Sequence, residues 1–308
     1  MAFLVRLLRN RNFVLLLALV LGLVVGEGVA VYTESLVLPA LGLVMTLSAA
    51  SVTTRELASF KTMPTRILVS LLLNYVVLGG IILVLAYFLI DDRELWAGFV
   101  VISTVPPAVA VLPFSAILGG DTVFSLVGVT GAYLAALAIT PLVTVLILGA
   151  DFFNPIKLLL ILAELIIIPL LLSRVLLATG LMRKIQPWRG TIVNWSFFLV
   201  TFTAVGLNRQ AFLSEFGVLA KMALIAIVVS FVLGYAIKAI AHAMQVKPKT
   251  SVSLVLMGTM KNYGLASGIL LTLFNERSAI PASILMVFGV LQMIWLVYLF
   301  PRSETSQD

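Results

Sequence analysis

The stretch that decides the fold is residues 257–268, MGTMKNYGLASG, which interrupts an apolar segment with three glycines and a lysine. Residues 103–121, STVPPAVAVLPFSAILGGD, interrupt an earlier apolar segment with three prolines and two glycines. A broken helix frees backbone groups that lipid cannot satisfy, so these groups must line a cavity or meet each other. Interruptions at corresponding places in two halves are typical of transporter binding sites, whereas isolated kinks occur in any bundle. We therefore expect the segments 96–118 and 250–274 to be broken, at about 107–113 and 258–264, and to cross.

The composition is that of a membrane protein. Of the 308 residues, 62% are hydrophobic and 11% charged, with a mean hydropathy of +1.18, whereas soluble domains carry about 25% charged residues. A helix needs ~20 apolar residues to cross a bilayer, so the chain has room for about ten. The sequence predicts an all-α protein of ten transmembrane helices, at 12–32, 35–52, 65–90, 96–118, 122–149, 155–178, 190–207, 216–242, 250–274 and 279–300.

The predicted helices divide into two halves, 1–150 and 151–308, with five each. Because five is odd, the second half enters the membrane from the opposite face, and the two halves form inverted repeats. Fourteen of the 20 basic residues fall on the side of both termini, five fall on the other, and Lys261 lies inside a segment. This asymmetry predicts a multi-pass protein of the cell (inner) membrane with both termini in the cytoplasm. Arg6, Arg9 and Arg11 precede an apolar run as in a signal peptide, but we expect a retained first helix.

Several function classes lack the residues that they need. The chain has no cysteine and one histidine, His242, and a hydrolase needs a nucleophile with a base or a metal with several ligands. No Gly-rich phosphate loop of the P-loop type is present. The basic residues flank apolar segments, which indicates membrane orientation rather than nucleic-acid binding. We therefore expect a secondary carrier for a small solute with no enzymatic activity, no metal site and no nucleic-acid partner; a channel or uniporter without a coupled ion is the alternative.

Residues 258–266, GTMKNYGLA, resemble the ninth-helix stretch EVGMQNSGLA of the bile acid/sodium symporter family, whose members take up organic anions. Weaker similarities lie in residues 106–121 and in the pair Thr140 and Pro141. The resemblance extends through most of the chain. It implies an organic anion as the solute, ten helices, a panel domain, a core domain, and discontinuous fourth and ninth helices that cross in the core.

The resemblance also implies that the family's sodium sites have lost ligands here. The key carboxylate of the ninth helix falls on Met257, and the amide that follows it falls on Lys261. The Ser-Asn pair of the fourth helix falls on Val111 and Leu112. Sodium needs about five or six oxygen ligands, by the logic of other hard cations. Few polar positions are kept at or beside the family pattern: Asn74, Asn262, Ser125 and Thr130. We therefore expect weak or no sodium coupling, although sodium stays a candidate ion.

Two ionisable residues stand out within the apolar segments. Lys261 is expected to cost at least ~2.5–3.5 kcal/mol in a membrane, so it should be functional or paired. It is interpreted as an ammonium in the place of sodium, bound by helix-end carbonyls; the alternative is a lysine that reaches the membrane interface. Glu164 is a candidate proton carrier or counter-ion for Lys261, or else an acid facing a polar groove. The expected solute-binding residues are Asn262, Thr259, Met260, Pro113 and Asn74.

Overall fold

The computed structural model describes residues 7–50, 63–149 and 153–301, and the regular elements in these ranges are helices. Seven of them are long and apolar enough to cross a membrane. The helices of seven or more residues are α1 Arg11–Val25, α2 Glu27–Ala49, α3 Pro64–Leu89, α4 Arg93–Thr104, α5 Val111–Ile117, α6 Thr122–Leu148, α7 Pro155–Ala178, α8 Arg189–Leu207, α9 Phe216–Ala243, α10 Pro248–Thr259, α11 Tyr263–Leu273 and α12 Glu276–Leu299. The predicted all-helical class is confirmed. The junction of the predicted halves, at 150 and 151, and the basic residues Arg6, Arg55, Lys61 and Arg302 lie outside the described residues.

The first predicted helix boundary is wrong. The segment expected at 12–32 ends at Gly26, whose φ of 73° is disfavoured for residues with a Cβ. Helix α2 then begins at Glu27, well before the predicted start at residue 35. Glu27 and Glu34 are therefore exposed residues of the same helix. The apolar run continues across Gly26, so hydropathy alone could not reveal this break.

The helices pack in two groups. Helices α1, α2, α7 and α8 pack on one another. In the other group α3, α4 and α6 pack with α9, α10, α11 and α12, and α5 lies between α6 and α10. The groups meet mainly where α8 contacts α11 and α12 and where α6 contacts α7. The two interrupted segments both lie in the second group, so the crossing is built within a single packed unit.

Helices α3 and α9 each contain a π-helical segment. In α3 it spans Leu72–Leu78 and carries the buried Asn74, and in α9 it spans Val228–Val232 and carries the buried Ser230. Such segments are rare in proteins. Those that do occur are often found at functional sites, because they turn side chains out of the α-helical register. Both helices are the third apolar segment of their predicted half, and Asn74 reaches the crossing described below.

An ion-pair network joins helix ends at the side opposite the basic loops. Arg277 donates to Asp92, the N-cap of α4, over 2.8 Å, and forms a bidentate pair with Glu215 over 2.8 and 3.0 Å. A hydrogen bond from Arg277 lowers the pKa of Glu215 below its ordinary 4.5. Burial raises the pKa of Asp92, but hydrogen bonds from the Leu95 backbone and from Arg277 outweigh burial, and the pKa falls below 3.8. Both carboxylates thus favour the folded state when ionised.

Arg277→Gln is expected to lower the unfolding temperature at pH 7, and this difference should narrow at pH 3. Folding lowers the pKa values of Asp92 and Glu215. The stabilisation by their ion pairs is therefore complete above pH 4.5 and is lost as the pH falls through the folded-state pKa values. The three side chains are about one-third exposed, so we expect about 1 kcal/mol or less. Thermal unfolding in detergent measures the change. Lys221→Gln, which removes an exposed pair with Asp91, is the control, and a difference that does not change with pH would contradict the assignment.

Candidate functional site

The two interruptions are present and are shorter than predicted. Helix α4 ends at Thr104, and Val105 is extended, at φ −67° and ψ 153°. The next two residues are prolines, which have no N–H and disfavour a helical residue before them. Helix α10 ends at Thr259, and α11 starts at Tyr263, after three intervening residues, with Asn262 as its N-cap. The breaks therefore span 105–110 and 260–262, while Pro113 lies inside α5 and Gly258 and Gly264 lie inside helices.

The broken segments cross and pair through their backbones. Pro107 and Lys261 form an isolated antiparallel bridge. The Asn262 N–H donates to the Pro106 carbonyl over 3.0 Å, and the Ala108 N–H donates to the Met260 carbonyl over 3.2 Å. Each break thus provides hydrogen-bond partners for backbone groups that the other break leaves unpaired. Such pairing is required because lipid cannot satisfy these groups.

The ammonium of Lys261 lies at this crossing in a site made of neutral oxygens. It donates to Asn74 Oδ1 over 2.9 Å, to the Ser103 carbonyl over 2.7 Å and to the Val105 carbonyl over 2.9 Å. The Tyr75 ring lies 4.7 Å from the nitrogen, within cation–π range. Lys261 is 1% exposed, so the alternative of a lysine reaching the interface is wrong. Two of the oxygens belong to the C-terminal end of α4, where the helix dipole favours a cation.

Three further carbonyls at the ends of α4 and α10 are also satisfied by buried side chains. An unpaired buried carbonyl costs about 1–3 kcal/mol, so these side chains stabilise both breaks. All three come from neighbouring helices: Thr140 Oγ1 donates to Thr104 O over 2.8 Å, Asn74 Nδ2 to Met257 O over 3.1 Å, and Gln292 Nε2 to Thr259 O over 3.3 Å.

The expected solute-binding residues separate into different environments. Asn74 uses both ends of its amide on Lys261 and Met257 O, so it is a cation ligand here rather than a solute ligand. Thr259 is buried and its hydroxyl bonds within α10, which removes it from the expected solute surface. Asn262 caps α11 and donates to Tyr133 over 2.8 Å, and it lines a cavity with Met260. Pro113 lines an adjoining cavity.

The positions that match family sodium ligands are also divided. Met257 and Val111 are buried apolar side chains without oxygen. The Ser125 hydroxyl bonds to Ser115 and Ser253, over 2.9 and 3.0 Å, and joins α5, α6 and α10. Leu112 and Thr130 face a separate, largely apolar cavity. Of the polar positions, Asn74 is the one that holds the cation.

Glu164 does not pair with Lys261. It is exposed on α7, and within the described chain it makes no ion pair. The ammonium is instead bound by uncharged oxygens and a ring. The counter-ion interpretation is therefore wrong, and the proton-carrier interpretation stays a prediction.

Three adjoining cavities surround the crossing, and Val109 lines all of them. One contains the crossing itself and is walled by α1, α8, α11 and α12. A second encloses about 340 Å³ toward Gln186 and Arg189, at the end of the bundle that carries the basic loop residues. The third lies between α2, α6 and α7. The cavities lie between the two helix groups, where a solute would meet both.

The sequence did not reveal three features of this site. Arg11 was taken as a flanking charge for orientation, yet it lines two of the cavities. The carbonyls of Ser103 and Val105 carry no sequence signal, since any residue supplies one. Tyr75 could have been noticed, because it follows Asn74 in an apolar segment.

Comparison with known proteins agrees with this architecture. Among curated proteins, no sequence matches the chain. The model of the sodium bile acid symporter family matches residues 38–213, more than half of the sequence, which includes α3 to α8 and the first interruption. Lys261 and Asn262 lie beyond the matched region. The chain therefore belongs to the sodium bile acid symporter family, a family of secondary membrane transporters.

Proposed function

We propose that this transporter moves a small organic anion by alternating access, without sodium coupling. The observation that carries the proposal is the binding of the Lys261 ammonium to three oxygens where the broken helices cross. A tethered cation in this place joins the two breaks in every state of the cycle. A dissociable sodium ion would join them only when bound.

The proposed architecture counts α4 with α5 as one crossing, and α10 with α11 as another. With the other eight helices this gives ten crossings in two inverted halves, 1–150 and 151–308. The π segments of α3 and α9 and the breaks that follow them recur in the same order in both halves, which supports this arrangement. The group α1, α2, α7 and α8 is then the panel domain, and the second group is the core domain. Both termini lie in the cytoplasm of a cell whose inner membrane holds the protein.

Electrostatics oppose sodium at the crossing. At an effective dielectric of ~20, a like charge 4 Å away costs about 4 kcal/mol, which is roughly a thousandfold in affinity. The oxygens of Asn74, Ser103 and Val105 are already bound to Lys261. Met257 adds no carboxylate to offset the repulsion. A sodium ion would therefore lack both ligands and a counter-charge.

Two other transport modes use the same architecture. An uncoupled uniporter or channel-like protein also needs no ion site. A proton-coupled carrier needs a titrating group, for which Lys261 and Glu164 are the candidates. Uptake that follows an imposed pH gradient and is lost in Glu164→Gln would favour the proton-coupled carrier.

The purified protein is expected to show the same unfolding temperature in sodium chloride and in choline chloride. A sodium site with a Kd of about 10 mM would add about 1.8 kcal/mol at about 200 mM sodium, a readily measured shift. Lithium and potassium chloride control for general salt effects. A saturable stabilisation by sodium alone, or solute binding that requires sodium, would show that the proposal is wrong.

A further inference from the structure

The described walls of the cavities carry positive charge. The cavity at the crossing is lined by Arg11 of α1 and by Tyr263 and Gly264 at the start of α11. The adjoining 340 Å³ cavity is lined by Arg11 and Arg189. Arg174 lines the third cavity, and no aspartate or glutamate of the described part of the chain lines any of the three. A low-dielectric cavity with charges of one sign attracts a counter-ion of the opposite sign.

Arg11 is a charged group in these walls that lacks a hydrogen-bond partner among the residues that the structure describes. Its Nε is buried and has no hydrogen-bond acceptor. The guanidinium lies 5.7 Å from the centre of the Phe197 ring, and it makes no ion pair with any residue the structure describes. Arg174 differs in that its Nη2 donates to the Ala49 carbonyl over 2.6 Å, although its Nη1 also lacks an acceptor. A buried guanidinium N–H without an acceptor is costly to fold, and an anion in the adjoining cavities would supply that acceptor.

The surroundings of Arg11 define the rest of that ligand. Beyond the guanidinium the cavity at the crossing is lined by Phe197, Met260, Met286 and Met293, which suit an apolar body. Helix α11 begins in the same wall, and the positive end of its dipole adds to the attraction of an anion. Arginine pairs a carboxylate through two parallel hydrogen bonds, a geometry that lysine cannot reproduce.

We propose that Arg11 anchors the carboxylate of a small monocarboxylate, whose apolar body packs among Phe197 and the methionines beside the crossing. The inference rests on the proposed function, because it names the substrate class of the same carrier. In this inference, the negative charge of the solute is bound by α1, which is not one of the broken helices. Lys261 then holds the crossing together, and Arg11 holds the solute against it.

Ligand binding by the purified protein tests this assignment without requiring transport. Hexanoate and phenylacetate are titrated in choline buffer and again in sodium buffer, each beside its uncharged amide, with unfolding temperature and calorimetry as readouts. We expect at least one carboxylate to bind and its amide to bind at least tenfold more weakly. Arg11→Gln should weaken carboxylate binding at least tenfold, and Arg11→Lys should restore part of it. Arg183→Gln, an exposed arginine on the same side, should bind like the unmodified protein.

The unfolding temperature of the ligand-free variants separates binding from folding. If Arg11 serves the solute, ligand-free Arg11→Gln should unfold at the same or a higher temperature, because an unpaired charge has been removed. A lower unfolding temperature with unchanged carboxylate binding would assign Arg11 to structure and overturn the inference. Failure of both carboxylates to bind the unmodified protein would also overturn it. Arg11-dependent binding that requires sodium would refute the sodium-free mechanism and leave the anchor intact.

Discussion

Lys261→Met is expected to abolish transport and to lower the unfolding temperature in every salt. The variant removes the donor for Asn74 Oδ1, Ser103 O and Val105 O, which are buried at the crossing. Each buried acceptor left without a donor costs about 1–3 kcal/mol. The loss therefore amounts to several kcal/mol, a large share of the stability of a protein. Lys261→Gln keeps a smaller donor and should lose somewhat less stability than Lys261→Met. Its transport should be abolished as well.

Sodium should not rescue either variant. Removing the ammonium relieves the repulsion, but the side chains of Val111, Leu112 and Met257 still supply no oxygen. Measurement of unfolding temperature and carboxylate uptake in sodium and choline buffers tests this point. A variant that regained transport in sodium alone would show that Lys261 merely blocks an intact sodium site.

Lys238→Met is the matched control for the loss of a lysine. Lys238 also donates to a carbonyl, that of Leu299, over 2.7 Å, and it also lies near a ring, 4.9 Å from the centre of Phe300. It differs in being partly exposed at a helix end, where water can replace the ammonium. We expect a change of about 1 kcal/mol or less for this variant. Equal losses from both lysines would contradict a special role for the crossing.

The sequence predicted the features that leave a local signature. The prolines at 106 and 107 forbid a continuous helix, so the first break could be located. The second break has no proline, and it was found from Gly258, Asn262 and the lysine between them. Its length was overestimated, because Asn262 caps α11 at once and glycine is tolerated inside a buried helix.

The remaining features depend on contacts between distant segments. The ligands of Lys261 come from α3 and α4, and two of them are backbone carbonyls with no residue preference. Arg11 has the same sequence context as any basic residue that flanks a membrane helix, and it is distinguished by the cavity beside it. The break at Gly26 lies within an unbroken apolar run, and its positive φ is a property of the folded backbone. Hydropathy and counts of basic residues predict where a segment lies relative to the membrane. They carry no information on which distant segments contact one another.

Asn74→Leu is expected to be nearly as damaging as the loss of Lys261. Asn74 is fully buried, and it both accepts from Lys261 and donates to the Met257 carbonyl. Leucine would leave the ammonium one ligand short and the carbonyl without a donor, at a cost of about 1–3 kcal/mol for each group. Asn194→Leu is the matched control, since Asn194 makes one side-chain hydrogen bond, to the Arg9 carbonyl over 3.0 Å, away from the crossing.

The double variant Asn74→Leu with Lys261→Met distinguishes a shared cation site from two separate structural roles. If the amide serves the ammonium, removing it after the lysine is gone should cost less than removing it from the intact protein. The double variant should then be more stable than the sum of the single losses predicts, by about 1–3 kcal/mol. The donation to Met257 O is lost in either background, so it cancels from the coupling. The pair Asn194 and Lys261 should be additive within about 0.5 kcal/mol, because the two residues share no partner. Chemical unfolding in mixed micelles measures all the variants, and additive losses for Asn74 and Lys261 would show that the ammonium does not depend on this oxygen.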